Sequence, residues 1–330
     1  MRTTSLLQRL SQLVLLTLVV ISAPSVVRSA ADVPSTDDVQ GEKQTVLYLP
    51  LDERYTTRDA FLNLGKVVSS FDILTPPPSD ISLHKAPANL AAIDSWVDTH
   101  AKSASAFVVS LEMYVYGGLI QSRISNSSQA EVDARLEKLA KLTVQHPQLK
   151  IYVSAVVMRI PSYNGDFEEP WYWADYGADL FQYSFHESRS IVLHNATDHK
   201  VAEEYAALVP SSALQKFVWR RQRNQNVLLK LVQMFNQSTI TAPEHYPFAN
   251  VYITLDDNAQ YGFNIDESQV LRSKVTALID HAGLPNGTIR IYPGADEVGL
   301  TLLAKLVSDQ QSETRFVVLG SVHFRMSHLS

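Results

Sequence analysis

The chain has 330 residues, 45% hydrophobic and 19% charged, a globular composition that excludes a disordered or fibrous protein. A formal net charge of −6 leaves no basic excess to neutralise phosphates, so no nucleic-acid partner and no anionic membrane surface is expected. There is no cysteine, so the fold rests on its apolar core and no thiol can serve as nucleophile.

The first 31 residues read as a secretory signal peptide. Arg2 and Arg9 give the positive start. The apolar run Leu13–Ile21 is too short to span a bilayer comfortably. Ser29 and Ala31 fit the small-residue cleavage pattern, with Val27 and Ser29 as an alternative. The expected location is therefore extracellular, with no membrane contact after cleavage. Sequons at Asn126, Asn195, Asn236 and Asn286 are candidate N-glycan positions. Residues 32–43 are polar and acidic and read as a flexible lead-in. Residues 44–330 read as a single α/β domain.

From Thr45 onward, short β-rich apolar runs alternate with amphipathic stretches. Strands are predicted at Thr45–Leu49, Lys66–Leu74, Ala106–Leu111, Lys150–Met158, Asn250–Leu255, Thr288–Tyr292 and Arg315–Leu319. Helices are predicted at Arg58–Leu64, Asn89–Lys102, Gln129–Gln145, Ser212–Phe235, Glu267–Ala282 and Glu297–Val307. An aromatic-rich insertion follows the fourth strand, to about residue 190. Continuous apolar strands separated by helices predict a mostly parallel sheet covered on both faces, either barrel-like or doubly wound. Only a short tail follows the seventh strand, so a C-terminally incomplete domain is one expectation and an edge strand the other.

Acidic residues recur just after the predicted strands: Asp52 and Glu53, then Glu112, then Asp256 and Asp257, then Asp296 and Glu297. In a parallel sheet these strand ends share one face, where ligands bind. Carboxylates gathered there either raise one another's pKa or hold a cation. Singly, each has a plainer reading as a helix cap, an Asx turn or an ion pair. Arg54, Arg123 and Arg159 belong to the same loops, where they would pair with the acids or clamp an anion. In the insertion, Trp171 and Trp173 lie among acids, a composition suited to sugar stacking, with a small local core as the plainer reading. Walker, GxGxxG, HExxH and GxSxG patterns are absent, and the histidines lack metal-ligand spacing.

Four blocks carry a resemblance: Tyr48–Arg54, Ser110–Arg123, Leu255–Gly262 and Ile291–Gly299. Together, and in this order, they resemble the DUF4127 family, uncharacterised proteins that are mainly bacterial. That resemblance implies an Asp at the third-strand acid, where this chain has Glu112, and a length running past residue 330. It implies no established reaction.

The expected function is a secreted hydrolase acting on a carbohydrate through strand-end carboxylates. Glu112 and Asp257 are the expected catalytic pair, because glycoside hydrolysis needs two carboxyls roughly 5–10 Å apart. Asp52, Glu53, Asn258, Asp296 and Glu297 would hold substrate hydroxyls, with Arg54 and Arg123 supporting them and Trp171 and Trp173 as platforms. No cofactor is required by this reading. A divalent cation on Asp52, Asp256, Asp257 and Asp296 defines one alternative, and a glycan-binding protein without turnover another.

Overall fold

The computed structural model describes residues 43–68, 71–241, 246–257 and 259–313. The predicted signal peptide, Asn258 and the seventh predicted strand lie outside the described residues.

Among the described residues six strands form the sheet: β1 (Gln44–Leu49), β2 (Phe71–Leu74), β3 (Ala106–Ser110), β4 (Lys150–Val157), β5 (Asn250–Leu255) and β6 (Ile289–Pro293). Their order is β2-β1-β3-β4-β5-β6, and every pairing is parallel. Among the described residues β2 and β6 are edges, so the sheet is open and doubly wound rather than a barrel. Its single reversal of direction lies between β1 and β3, where this class of fold leaves a crevice at the strand ends.

The period of two explains the layers. Leu47, Leu49, Phe107 and Val109 point into one core; Val46, Tyr48, Ala106 and Val108 point into the other. The first core is closed by helices α2 (Leu90–His100), α4 (Gln129–Gln145), α7 (Ser211–Thr241) and α8 (Phe263–Ala282). The second is closed by α1 (Asp59–Val67) and α9 (Val298–Glu313), with Tyr48 stacked on Phe61 at 3.6 Å between ring centroids. All residues of β3 and β5 are buried, which is why they read as unbroken apolar runs. A full capping box between Ser128 and Glu131 starts α4 where the sequence predicts it.

Two elements differ from expectation. The second strand begins only at Phe71, because Lys66 and Val67 finish α1, whose Phe61 and Gly65 are buried. After β3 the chain enters a π-helical turn, Glu112–Tyr116, and then the short α3 (Leu119–Ile124). The exit from that turn uses Gly117 at φ +87° and Gly118 at φ +137°. A Cβ on Gly118 would lie 2.7 Å from Ser82, so a side chain is excluded there on both grounds.

The insertion is largely helical: α5 (Trp173–Leu193) and α6 (Ala196–Leu208) pack as a hairpin. Trp173 sits with Tyr172, Leu180 and Phe217 in a small separate core. The basic stretch of α7 is also internal. Arg223 donates to the carbonyls of Ser122, Ser125 and Ser127, and Arg220 to those of Ile124 and Ser125. Arg221 donates to the Met158 and Arg159 carbonyls and pairs with Glu267. These arginines fasten the loops after β3 and β4 in place of a basic surface.

Candidate functional site

The loops at the C-terminal edge of the sheet enclose a cleft of about 380 Å³. Leu119 and Arg123 come from the segment after β3, Arg159 and Glu168 from that after β4, and Asp256 and Asp257 from that after β5. Arg54 contributes from beyond β1, and Asp296 and Glu297 from beyond β6.

Three guanidinium groups organise it. Arg54 holds Asp52 through Nε at 2.8 Å and Asp296 through both amino nitrogens, at 2.7 and 3.1 Å. Arg123, whose side chain is only 2% exposed, reaches Asp256 at 2.9 Å, Glu168 at 3.2 Å and Glu169 at 3.4 Å. Arg159 reaches Glu168 and Glu169 at 2.8 Å and Asp257 at 3.2 Å. Three cations thus face six carboxylates, so the cleft is net negative. Thr57 completes Asp52 with a hydroxyl hydrogen bond, and Tyr48 donates to the Thr57 carbonyl below.

Three carboxyls here are displaced from ordinary behaviour, and in Glu169 burial raises the pKa against the pull of Arg123 and Arg159. Burial raises the Asp256 pKa, and the like charges of Asp257 and Asp296 add to it against the pull of Arg123 and Arg159. Burial raises Glu112 further, to about 7, although it accepts from the Val156 backbone N–H at 2.8 Å and from Ser110 Oγ at 3.1 Å. Asp257 takes a left-handed backbone at φ +47°, a conformation Asp tolerates better than most residues.

A smaller recess of about 200 Å³ adjoins the cleft, sharing Arg54, Leu119 and Glu168 with it. Asp52 and Glu53 from the β1 end and Ile120 from beyond β3 line it, which places it at the reversal of the sheet. Ser82, His84 and Phe167 form its outer side. The Phe167 ring lies 4.2 Å from the His84 ring, and the His84 backbone N–H donates to Glu53 Oε1 at 2.7 Å.

The strand-end acids therefore converge as their positions predict, with corrections. Asp52, Glu53, Arg54, Arg123, Asp257, Asp296 and Glu297 all line the cleft or the recess. Glu112 does not: it is buried beneath, tying the π-helical turn to β4, so it cannot touch a ligand held above and is a positioning residue. Trp173 is 2% exposed, and Trp171, though exposed, faces Lys216 and lines neither cavity. The insertion's contribution is instead Phe167, Glu168 and Glu169. In the sequence they belong to the aromatic and acidic insertion and follow closely on Arg159, itself fixed by the strand end. Asp52, Asp256, Asp257 and Asp296, the donors considered for a cation, are each engaged by an arginine. Among the described residues no group of three or more His, Asp or Glu side chains is placed to hold a metal ion. No helix there is long and apolar enough to cross a membrane.

A family model for DUF4127, described as a protein of unknown function, matches residues 46–322. No curated protein matches the chain. Among solved structures, a Desulfitobacterium hafniense protein provisionally assigned to the alpha/beta hydrolase family aligns at 11% identity, with 84% of this chain and 97% of that one covered. Its TM-score of 0.28 is too low to carry an argument about fold or chemistry.

Proposed function

This chain belongs to the DUF4127 family, whose function is unknown, and we propose that its cleft hydrolyses a carbohydrate, outside the cell, through the carboxyls at the end of β5. The observation that carries this reading is Asp256: burial raises its pKa, and Asp257 and Asp296 stand beside it in an open, acid-lined cleft. Two carboxyls whose surroundings separate their roles are what glycoside hydrolysis requires. A net negative cleft disfavours anionic substrates, whereas carboxylates and guanidiniums together accept from and donate to neutral hydroxyls.

In this reading Asp256 donates its proton to the glycosidic oxygen as the C1–O bond breaks. Asp257, half-exposed in the cleft, acts on the opposite side, either by accepting a proton from the attacking water or by bonding to C1 until water replaces it. Arg123 and Arg159 hold the two carboxyls in place, and Arg54 holds Asp296. Glu112 contributes by fixing the floor.

Asp256→Asn and Asp257→Asn should each lower turnover of a glycan panel by at least a hundredfold, with unchanged circular dichroism and a cooperative unfolding transition retained. Unchanged turnover in both variants would sink the assignment. Export rests on residues 1–31 and is checked by fusing them to a reporter and assaying the medium. Asn126, Asn195, Asn236 and Asn286 are all exposed, as N-glycan attachment requires. Glycosidase-sensitive mass shifts would test them.

A further inference from the structure

We propose that the recess at the β1/β3 reversal is a second ring subsite, so that the ligand of the adjoining cleft is an oligosaccharide of at least two neutral sugar residues. This rests on the carbohydrate reading above and deepens it.

Three observations converge on the recess. First, its volume, about 200 Å³, is on the scale of one pyranose ring, and it shares Arg54, Leu119 and Glu168 with the cleft, so the two lie side by side within reach of one ligand. Second, it combines an apolar face with polar groups around its edge. Phe167 is 73% exposed and packs on His84, leaving much of its ring in solvent, while Asp52, Glu53, Ser82 and Glu168 supply oxygen atoms. An exposed aromatic ring beside such acceptors fits a sugar's CH face and its hydroxyls.

Third, His84 Nε2 is buried and has no hydrogen-bond partner. A buried polar atom left unpaired is costly, on the order of 1–3 kcal/mol, and calls for an explanation. His84 also holds a left-handed backbone, φ +51°, fixed by the Glu53 hydrogen bond. The His84 ring lines the recess, and turning Nε2 into it would let a hydroxyl satisfy the nitrogen in either tautomer, since a hydroxyl both donates and accepts. An ammonium serves only the accepting tautomer, and a carboxylate would enter among three acids and one arginine. Neutral sugar hydroxyls therefore fit best.

The test uses the full chain and calorimetric titration with matched pairs: glucose, galactose, mannose, N-acetylglucosamine and protonated glucosamine, each against its β-1,4- and α-1,4-linked disaccharides. At least one disaccharide should bind tenfold or more tightly than its monosaccharide. That ratio should fall to within about threefold of unity in Phe167→Ala and in His84→Ala, with Phe167→Tyr restoring it. If the ratio survives both alanine variants, or no disaccharide exceeds its monosaccharide, the subsite is wrong while the carbohydrate reading stands. A gain confined to protonated glucosamine and its dimer would overturn a neutral ring as the occupant. No binding by any sugar would overturn both.

Discussion

Arg54 binds Asp296, 242 residues away in sequence, through both amino nitrogens, and so ties the loop after β1 to the loop after β6 across the mouth of the cleft. Both side chains are more than two-fifths exposed, at 44% and 42%. Arg54→Lys keeps the charge and loses the fork. Its stability cost should stay within about 1 kcal/mol, because exposed pairs contribute little. Sugar affinity should nevertheless fall about tenfold, since the wall position depends on the fork. Thermal unfolding and titration calorimetry read the two effects separately, and full affinity in the lysine variant would show the fork to be dispensable.

Arg123 is the opposite case. It is buried, and its removal would leave Asp256 and Glu169 in low-dielectric surroundings with less compensation. Arg123→Met should cost roughly 3–5 kcal/mol in urea unfolding. A loss below about 1 kcal/mol would mean that water reaches these carboxylates.

Glu112 should give stability a pH dependence. Its folded pKa, about 7, lies above the ordinary value of 4.5, so the folded state binds the extra proton between those values. Its contribution is fully present below pH 4.5, declines as pH rises towards 7 and is gone above that, by about 3 kcal/mol at most. Glu112→Gln should abolish this slope and be more stable than wild type at pH 8. Parallel stability–pH curves for the two proteins would contradict the buried, proton-retaining glutamate.

Asp296→Asn removes a negative charge near Asp256 and frees Arg54 from one of its partners. Both changes favour ionised Asp256, so its pKa should fall. Carbon-13 carboxyl titration would follow the shift directly, and the alkaline limb of turnover should move to lower pH with it. An upward shift would show that Asp296 does not act on Asp256 through its charge.

Much of this was legible in the sequence for simple reasons. The runs Ala106–Ser110 and Asn250–Leu255 are buried on both faces, so their lack of alternation announced a covered parallel sheet. The acids after β1, β5 and β6 converge because parallel strands end on one side. The strand order was not legible, because whether β3 pairs with β1 or β2 depends on crossovers that local patterns do not record. Glu112 misled for a local reason. A regular strand end would have presented it upward, but the π-helical turn carries it under the floor to Val156. Trp171 and Trp173 misled because composition cannot tell a platform from a small core, and the useful aromatic, Phe167, lies just before them.

The arginine lattice bears on how this protein can change over generations. Arg54 answers carboxylates from the loops after β1 and β6, Arg123 those from the loops after β4 and β5, and Arg159 the same two loops from within one of them. A charge gained or lost in one loop alters the pairing of partners carried by another. Substitutions here are therefore epistatic: harmful alone and tolerable in compensated pairs. Loops grafted singly from a relative should fail where the whole rim succeeds, and the cleft's ligand preference should drift more slowly than the surrounding surface.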